Sequence, residues 1–152
     1  MSDDRSPPAN GDFTLLDGAA ATWQDLADSY GSQHAVAADP KRPLQERLAA
    51  FEDVFESEVG DTTIARARNI ERASGLRQLF LKFEGGNPSG TQKDRIAFAQ
   101  ALDAIRRGFD TLTVATCGNY GVATAMAARM SGLRCVVYIP GSYHTSRERE
   151  MV

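Results

Sequence analysis

The chain has 152 residues, of which 42% are hydrophobic and 24% charged, and its formal net charge is −3. These values are typical of one globular domain with a sizeable core, and they argue against a nucleic-acid partner or a polybasic membrane surface. No apolar run approaches the roughly 18 residues of a membrane-spanning helix. The N-terminus lacks the basic and apolar regions of a signal peptide.

The two cysteines, Cys117 and Cys135, make neither a disulfide framework nor a zinc site. His34 and His144 lack partners at ligand spacing, so no metal is expected. Cys135 lies in an apolar run and is interpreted as a core residue. A reducing cytoplasm is therefore the expected location.

The first part of the chain is predicted to be a tail followed by helices. Residues 1–12, rich in Asp, Ser and Pro, are predicted to be disordered. Residues 13–59 form a predicted helical region after a short extended piece at 13–16. One helix is expected from Trp23 to Tyr30, ending before Gly31, and another from Leu44 to Val59, ended by Gly60. We interpret this region as a packing layer or lid, since it carries no detectable chemistry.

From residue 60 onward, predicted strands alternate with predicted helices. Strands are expected at 62–67, 78–83, 111–115 and 134–139, and helices at 94–107 and 119–130. On the first of these helices, Ile96, Ala99, Leu102 and Ile105 share a face. The order predicts an α/β domain over residues 60–152, with an open, mainly parallel twisted sheet and helices on both faces.

Two of the strand-to-helix junctions are rich in glycine, at 85–90 and 116–121. Ligands collect at the carboxyl ends of parallel strands, where free backbone N–H groups and helix dipoles attract anions. Lys93 follows the first junction inside a predicted first helical turn, although a helix N-terminus disfavours cations by about 0.3 to 1 kcal/mol. Breaks of a local rule cluster at functional sites. We therefore expect Lys93 to face a ligand with anionic groups.

The spacing excludes two common phosphate-binding motifs. Gly85 and Gly90 have the P-loop spacing, but Thr91 and Gln92 precede the lysine. Neither junction supplies the Gly-x-Gly-x-x-Gly of a dinucleotide site. A lysine beside loops able to hold carboxylate or phosphate is suited to Schiff-base chemistry, which requires access to the neutral amine. Asp94 and Arg95 are interpreted as a helix-start charge and a salt-bridge partner.

Residues 82–95, KFEGGNPSGTQKDR, resemble the cofactor-lysine segment of pyridoxal-phosphate enzymes of the tryptophan synthase β-subunit-like fold type, closest to threonine synthase. Residues 116–121, TCGNYG, are similar to the Ser-Gly-Asn-x-Gly loop of that family. Residues 60–64, GDTTI, resemble its Gly-x-Thr-Pro-Leu entry, with Thr63 in place of proline. Residues 135–140, CVVYIP, are similar to the strand that follows. The resemblance covers roughly residues 58–150.

The resemblance implies that Lys93 forms a Schiff base with pyridoxal phosphate and later acts as acid or base at the substrate α-carbon. It implies that Asn119 hydrogen-bonds the ring hydroxyl of the cofactor. The substrate carboxylate would be held by Thr116, Cys117, Gly118 and Tyr120. The implied activity is that of a lyase or synthase acting on an amino acid by elimination or replacement, like threonine synthase. A cysteine synthase-like β-replacement is an alternative.

The chain departs from the family pattern at Gln92, where an aromatic residue is usual, and at Cys117, where serine is usual. The family's phosphate-binding cup and the residue facing the pyridine nitrogen lie in a C-terminal half that this chain does not contain. A catalytically incomplete fragment or non-catalytic binding module of the same fold is therefore another alternative. The expected partners are an amino-acid substrate and either a second copy or a complementing C-terminal half.

Overall fold

The computed structural model describes residues 13–14, 20–142 and 147–151. The predicted disordered tail, residues 1–12, lies outside the described residues. Two short antiparallel strands, β1 (Phe13–Thr14) and β2 (Ala20–Ala21), come first. The helices α1 (Trp23–Ala38) and α2 (Leu44–Glu58) follow, so the prediction of helices in this region is confirmed.

Helix α1 extends eight positions beyond its predicted end at Tyr30 and passes through Gly31. Its start is fixed by a capping box, in which Thr22 and Asp25 each bind the other's backbone N–H. Glycine within a helix costs about 1 kcal/mol relative to alanine, which packing of the helix can exceed. The prediction that Gly31 ends the helix was wrong because tertiary contacts outweigh this cost.

The next segment contains β3 (Ile64–Arg66), α3 (Arg68–Ser74) and β4 (Phe80–Lys82). Strands β3 and β4 are antiparallel, with Ala65 opposite Leu81. Helix α3 was not predicted, since it buries no residue and its first position has no side-chain cap. It reverses the chain between the two strands, so that they pair antiparallel.

The remaining elements are α4 (Lys93–Arg106), β5 (Thr111–Ala115), α5 (Asn119–Ser131) and β6 (Arg134–Tyr138). Short 3₁₀ helices lie at Glu84–Gly86 and Glu148–Glu150. Strands β5 and β6 are parallel, with Leu112 opposite Cys135, so this pair was predicted correctly. Gly132 ends α5 in the left-handed conformation, where glycine is favoured.

Helices α1, α2, α4 and α5 share one core. Phe51 of α2 stacks on Phe98 of α4 at 5.8 Å between ring centroids, and both side chains are fully buried. The predicted apolar face of α4 was partly wrong. Ile96 is half exposed and lies beside a groove between α4 and β5, whereas Phe98 points into the core. Burial of Phe98 is favoured over burial of Ile96 because the phenylalanine side chain has the larger apolar area and therefore gains more free energy from burial.

The predicted single open sheet with helices on both faces is not seen in the described part of the chain, where the six strands form three separate pairs. One face of the β5–β6 pair packs on the helices, and Leu112 and Cys135 contact the core. The opposite face is exposed, and Tyr138 there is 63% accessible. The mixed α/β composition was predicted correctly. The prediction joined the strands into one sheet, whereas the structure has pairs of strands, because local sequence does not specify which strands pair.

Within the described ranges, no helix is both long and apolar enough to cross a membrane. Those same ranges contain no group of three or more His, Cys, Asp or Glu side chains placed to hold a metal ion. The cytoplasmic location stays a prediction.

Candidate functional site

The first glycine-rich junction leads from β4 into α4 through a chain of local hydrogen bonds. The Asn87 side chain donates to Glu84 O at 2.8 Å, and Gly90 N donates to Asn87 O at 2.8 Å. Gly90 has a φ of +80°, which favours glycine at this turn. Thr91 Oγ1 then accepts from Lys93 N at 3.1 Å, satisfying one of the free N–H groups at the start of α4.

Lys93 is the first residue of α4, and its side chain is exposed. The sequence placed this lysine inside the first helical turn, and the structure agrees. An exposed primary amine at the mouth of a structured loop can reach a carbonyl ligand without displacing core residues.

Asp94, beside the lysine, is fully buried. Its Oδ2 accepts from Ser89 N at 2.8 Å, which fixes the loop onto the start of α4. In the described part of the chain, Asp94 Oδ1 and Ser89 Oγ are buried without a hydrogen-bond partner. The sequence suggested only a helix-start charge here. The structure shows a buried carboxylate that holds the junction, together with two polar atoms whose hydrogen-bonding capacity is unused.

Arg95 connects the same junction to the segment before β3. Its Nη2 donates to Gly60 O at 2.8 Å and to Glu84 Oε1 at 3.0 Å. Hydrogen bonds from Arg95, and then from Asn87 and Thr62, lower the pKa of Glu84 to about 2 despite its partial burial. The interpretation of Arg95 as a salt-bridge partner is thus confirmed, and Glu84 and Asn87 are structural residues that sequence reasoning missed.

The second glycine-rich junction leads from β5 into α5. Thr116 N donates to Tyr138 O at 3.0 Å and so continues the pairing of β5 with β6. Gly118 precedes the helix, and its carbonyl accepts from Gly121 N at 2.9 Å. Asn119 is the first residue of α5 and is exposed. The N–H groups of Asn119 and Tyr120 precede this bond, at the helix positions that have no intrahelical acceptor, and such groups favour an anion such as a carboxylate.

Gly121 permits a close approach at the start of α5. A Cβ atom built there would lie 2.9 Å from Thr116 Cγ2 and 2.9 Å from Met151 Sδ. Glycine at this position therefore allows Met151 and the end of β5 to pack directly on the helix backbone.

The other predicted carboxylate ligands differ in what their side chains do. The Tyr120 hydroxyl donates to Gln100 of α4, so this side chain stabilises the packing of α5 on α4. Any contribution of Tyr120 to carboxylate binding would come through its backbone N–H. Cys117 is a partly exposed free thiol.

Arg147 bridges the two junctions. Its Nη1 donates to Asn119 Oδ1 at 2.6 Å, and its Nη2 donates to Ser89 O at 3.2 Å. Its hydrogen bond to Glu150 is the main cause that raises the pKa of the guanidinium. One side chain thus links the loop that precedes Lys93 to Asn119 at the start of α5. Sequence reasoning missed Arg147, since no local pattern marks a contact between residues so distant in the chain.

Residues 55–152 match the family model described as "Pyridoxal-phosphate dependent enzyme". The chain belongs to this family, because the match covers more than half of its length.

Two relatives and one solved structure illustrate the similarity. Rabbit (Oryctolagus cuniculus) cystathionine beta-synthase is 34% identical over 127 residues, covering 78% of this chain and 21% of that protein. Cysteine synthase B of Pseudomonas syringae pv. syringae is 39% identical over 99 residues, covering 61% of this chain and 57% of that protein. The crystal structure of O-ureido-L-serine synthase aligns with a TM-score of 0.50 at 31% identity, covering 62% of this chain and 31% of that chain. The chain therefore spans between about a fifth and just over half of these three proteins.

The residues present fit pyridoxal phosphate by their chemistry. The site offers an exposed primary amine at Lys93, an amide at Asn119 and the N–H groups of a helix start. Ser89 Oγ and Asp94 Oδ1, which have no hydrogen-bond partner in the described part of the chain, lie at the first junction, beside Lys93. Such a cofactor and its amino-acid substrate require an amine that can bind the cofactor covalently, a donor for the ring oxygen and N–H groups for an anion.

Proposed function

We propose that this chain contributes the lysine-bearing half of a pyridoxal-phosphate enzyme that catalyses β-replacement on an amino acid. The observation that carries the proposal is that Arg147 links Asn119, at the start of α5, to Ser89, in the loop that leads into Lys93 at the start of α4. The remainder of the site, including the phosphate-binding part, would come from a C-terminal half. The membership of the chain in the family supports the cofactor assignment.

The reaction type is proposed from the products that the relatives' names state. Cysteine, cystathionine and O-ureidoserine are all alanines that carry a heteroatom substituent on the β-carbon. Making such a product from a serine derivative breaks one bond between the β-carbon and its leaving group and forms one bond to a nucleophile. The similarity therefore favours β-replacement over the threonine synthase-like reaction, which rested on the sequence motifs alone.

Each residue of the chain has a role that follows from its place. Pyridoxal phosphate, when bound, supplies an electron-withdrawing ring that stabilises negative charge at the substrate α-carbon. Lys93 Nζ would hold the cofactor and, once released, remove and return the α-proton. The N–H groups at the start of α5, with Thr116, Cys117 and Gly118, would bind the substrate carboxylate. Asn119 would donate to the ring oxygen.

Covalent trapping tests the lysine assignment. The chain contains three lysines, Lys41, Lys82 and Lys93. The protein is incubated with pyridoxal phosphate, reduced with borohydride and mapped by peptide mass spectrometry. We expect saturable labelling at Lys93 and at least a tenfold loss of label in Lys93→Arg. Lys82→Arg is the matched control, since Lys82 belongs to the same segment and its Nζ donates to Thr62 O at 3.1 Å.

Labelling that falls equally on the three lysines, or that moves to Lys82, would overturn the assignment of Lys93. Absence of saturable uptake by the chain alone would favour the incomplete-fragment alternative. The same mapping would then be repeated with a C-terminal half supplied in trans. Conversion of an O-acylated serine and a thiol into a thioether amino acid, with release of the carboxylate, would then support β-replacement.

A further inference from the structure

We propose that Arg147 is a positioning residue, which fixes the side-chain amide of Asn119 so that its Nδ2 group faces the cofactor. The inference rests on the proposed function, since it assumes that Asn119 meets the ring oxygen of pyridoxal phosphate. It adds a residue whose role neither the sequence motifs nor the family match assigns.

The orientation of the amide follows from the chemistry of its partner. A guanidinium carries five N–H donors and has no acceptor, so the atom of Asn119 that faces it must be the carbonyl oxygen. The distance from Arg147 Nη1 to Asn119 Oδ1 is 2.6 Å, as expected for a short, charge-assisted hydrogen bond. With Oδ1 bound in this way, the amide presents its Nδ2 donor to a ligand.

Arg147 is itself held in place and can therefore hold Asn119. Its Nε donates to Glu150 Oε1 at 3.0 Å, and its Nη2 donates to Glu150 Oε2 at 2.6 Å. The bidentate pairing fixes the plane of the guanidinium. The further bond from Nη2 to Ser89 O, at 3.2 Å, attaches it to the junction that precedes Lys93. The side chain is 25% exposed, so solvent competes only partly for these bonds.

As a consequence, the group of Asn119 that would face the ring oxygen of the cofactor is a hydrogen-bond donor. An unrestrained asparagine can present either its oxygen or its NH₂ group to a ligand. The oxygen would oppose the electron-rich ring oxygen, whereas Nδ2 would donate to it. A cation on Oδ1 also polarises the amide and strengthens the donor at Nδ2. Arg147 would thus favour the ionised form of the ring hydroxyl.

The decisive experiment compares the wild type with Arg147→Ala, Arg147→Lys and Arg149→Ala. Arg149 is an exposed arginine in the 3₁₀ helix that directly follows Arg147, so its removal makes the same charge change without touching Asn119. The absorption spectrum of the bound cofactor is titrated with pH in each variant. Borohydride trapping confirms independently that Lys93 is labelled.

We expect the Arg147→Ala variant to lose roughly two- to tenfold in the ratio of long- to short-wavelength absorbance, the effect of one hydrogen bond. The pH at which the ring hydroxyl ionises should rise, because the neutral hydroxyl is favoured when Arg147 is absent. Arg147→Lys should recover part of the ratio, because it keeps a charged donor, and Arg149→Ala should match the wild type. A purely structural role would not produce this spectroscopic pattern.

A second readout requires no cofactor. In the ¹⁵N spectrum of the protein, the side-chain NH₂ pair of Asn119, identified by its loss in Asn119→Ala, should shift in Arg147→Ala and stay in place in Arg149→Ala. Label on Lys93 with unchanged spectra in Arg147→Ala would overturn the positioning role and leave the proposed function standing. Failure of the wild type to take label on Lys93, alone or with a C-terminal half, would overturn both.

Discussion

The guanidinium of Arg95 binds the carboxylate of Glu84 through two hydrogen bonds, from Nε to Oε2 at 2.8 Å and from Nη2 to Oε1 at 3.0 Å. The pair joins the first turn of α4 to the 3₁₀ helix that follows β4. Because Arg95 also binds Gly60 O, the junction that presents Lys93 is attached to the segment before β3. The geometry of the candidate site thus depends on an ion pair that does not belong to it.

Removing the carboxylate with Glu84→Gln should make the stability of the protein less sensitive to acid. The pKa of Glu84 is lowered from 4.5 to about 2, chiefly by the hydrogen bonds from Arg95. A lowered pKa in the folded state adds stability that is fully present above pH 4.5 and is lost as the pH falls through 2. The wild type and Glu84→Gln should therefore differ most above that window and converge near pH 2, as measured by urea unfolding at a series of pH values.

The matched control is Asp103→Asn on the exposed side of α4. Asp103 pairs with Arg107 at 2.9 Å, but the two side chains are 56% and 64% exposed. Such exposed pairs contribute about 0.3 to 0.5 kcal/mol, so this substitution should change the unfolding midpoint little. Equal effects of the two substitutions across the pH range would show that Glu84 has no special contribution.

Gly121→Ala should destabilise the protein, although glycine is normally the poorer helix residue. The added Cβ would lie 2.9 Å from both Thr116 Cγ2 and Met151 Sδ. Overpacking of this kind costs about 1 to 3 kcal/mol. The thermal midpoint should fall, and thermal melts followed by circular dichroism measure it.

The control for Gly121→Ala is Gly31→Ala in the exposed middle of α1. A Cβ atom at Gly31 would meet nothing within 4 Å. Here alanine should stabilise the helix by about 0.5 to 1 kcal/mol, its usual advantage over glycine. If Gly121→Ala also raised the midpoint, the close packing of Met151 on α5 would be contradicted.

The features predicted correctly from sequence were those determined by local residues. The starts of α4 and α5, with Lys93 and Asn119, follow from loop glycines succeeded by helical periodicity. The parallel pair β5–β6 follows from two apolar strands flanking one helix. In each case, neighbouring residues carry the information.

The features that were missed depend on residues far apart in the chain. The antiparallel pairing of β3 with β4 depends on α3, which has no apolar face to reveal it. The burial of Asp94 depends on how the preceding loop folds over it. Arg147 acquires its importance only when the chain returns to Asn119. Helical periodicity and short motifs contain none of these relationships.

The two thiols should differ in their reactivity, and this difference tests the description of the second junction. Burial raises the pKa of the Cys135 thiol, so a smaller fraction of it is the reactive thiolate at pH 8. Cys117 lies at the partly exposed junction between β5 and α5. We expect iodoacetamide to modify Cys117 several times faster than Cys135, as measured by mass spectrometry of the tryptic peptides.

Cys117→Ser and Cys135→Ser identify the rate that belongs to each thiol. The fast phase should vanish in Cys117→Ser and persist in Cys135→Ser. Addition of pyridoxal phosphate, with a C-terminal half where the chain alone does not take it up, should slow modification of Cys117 and leave Cys135 unchanged. Faster modification of Cys135 would contradict its burial against the helices. Cofactor uptake on Lys93 without protection of Cys117 would place the ligand away from the second junction, since a molecule bound between α4 and α5 would cover this thiol.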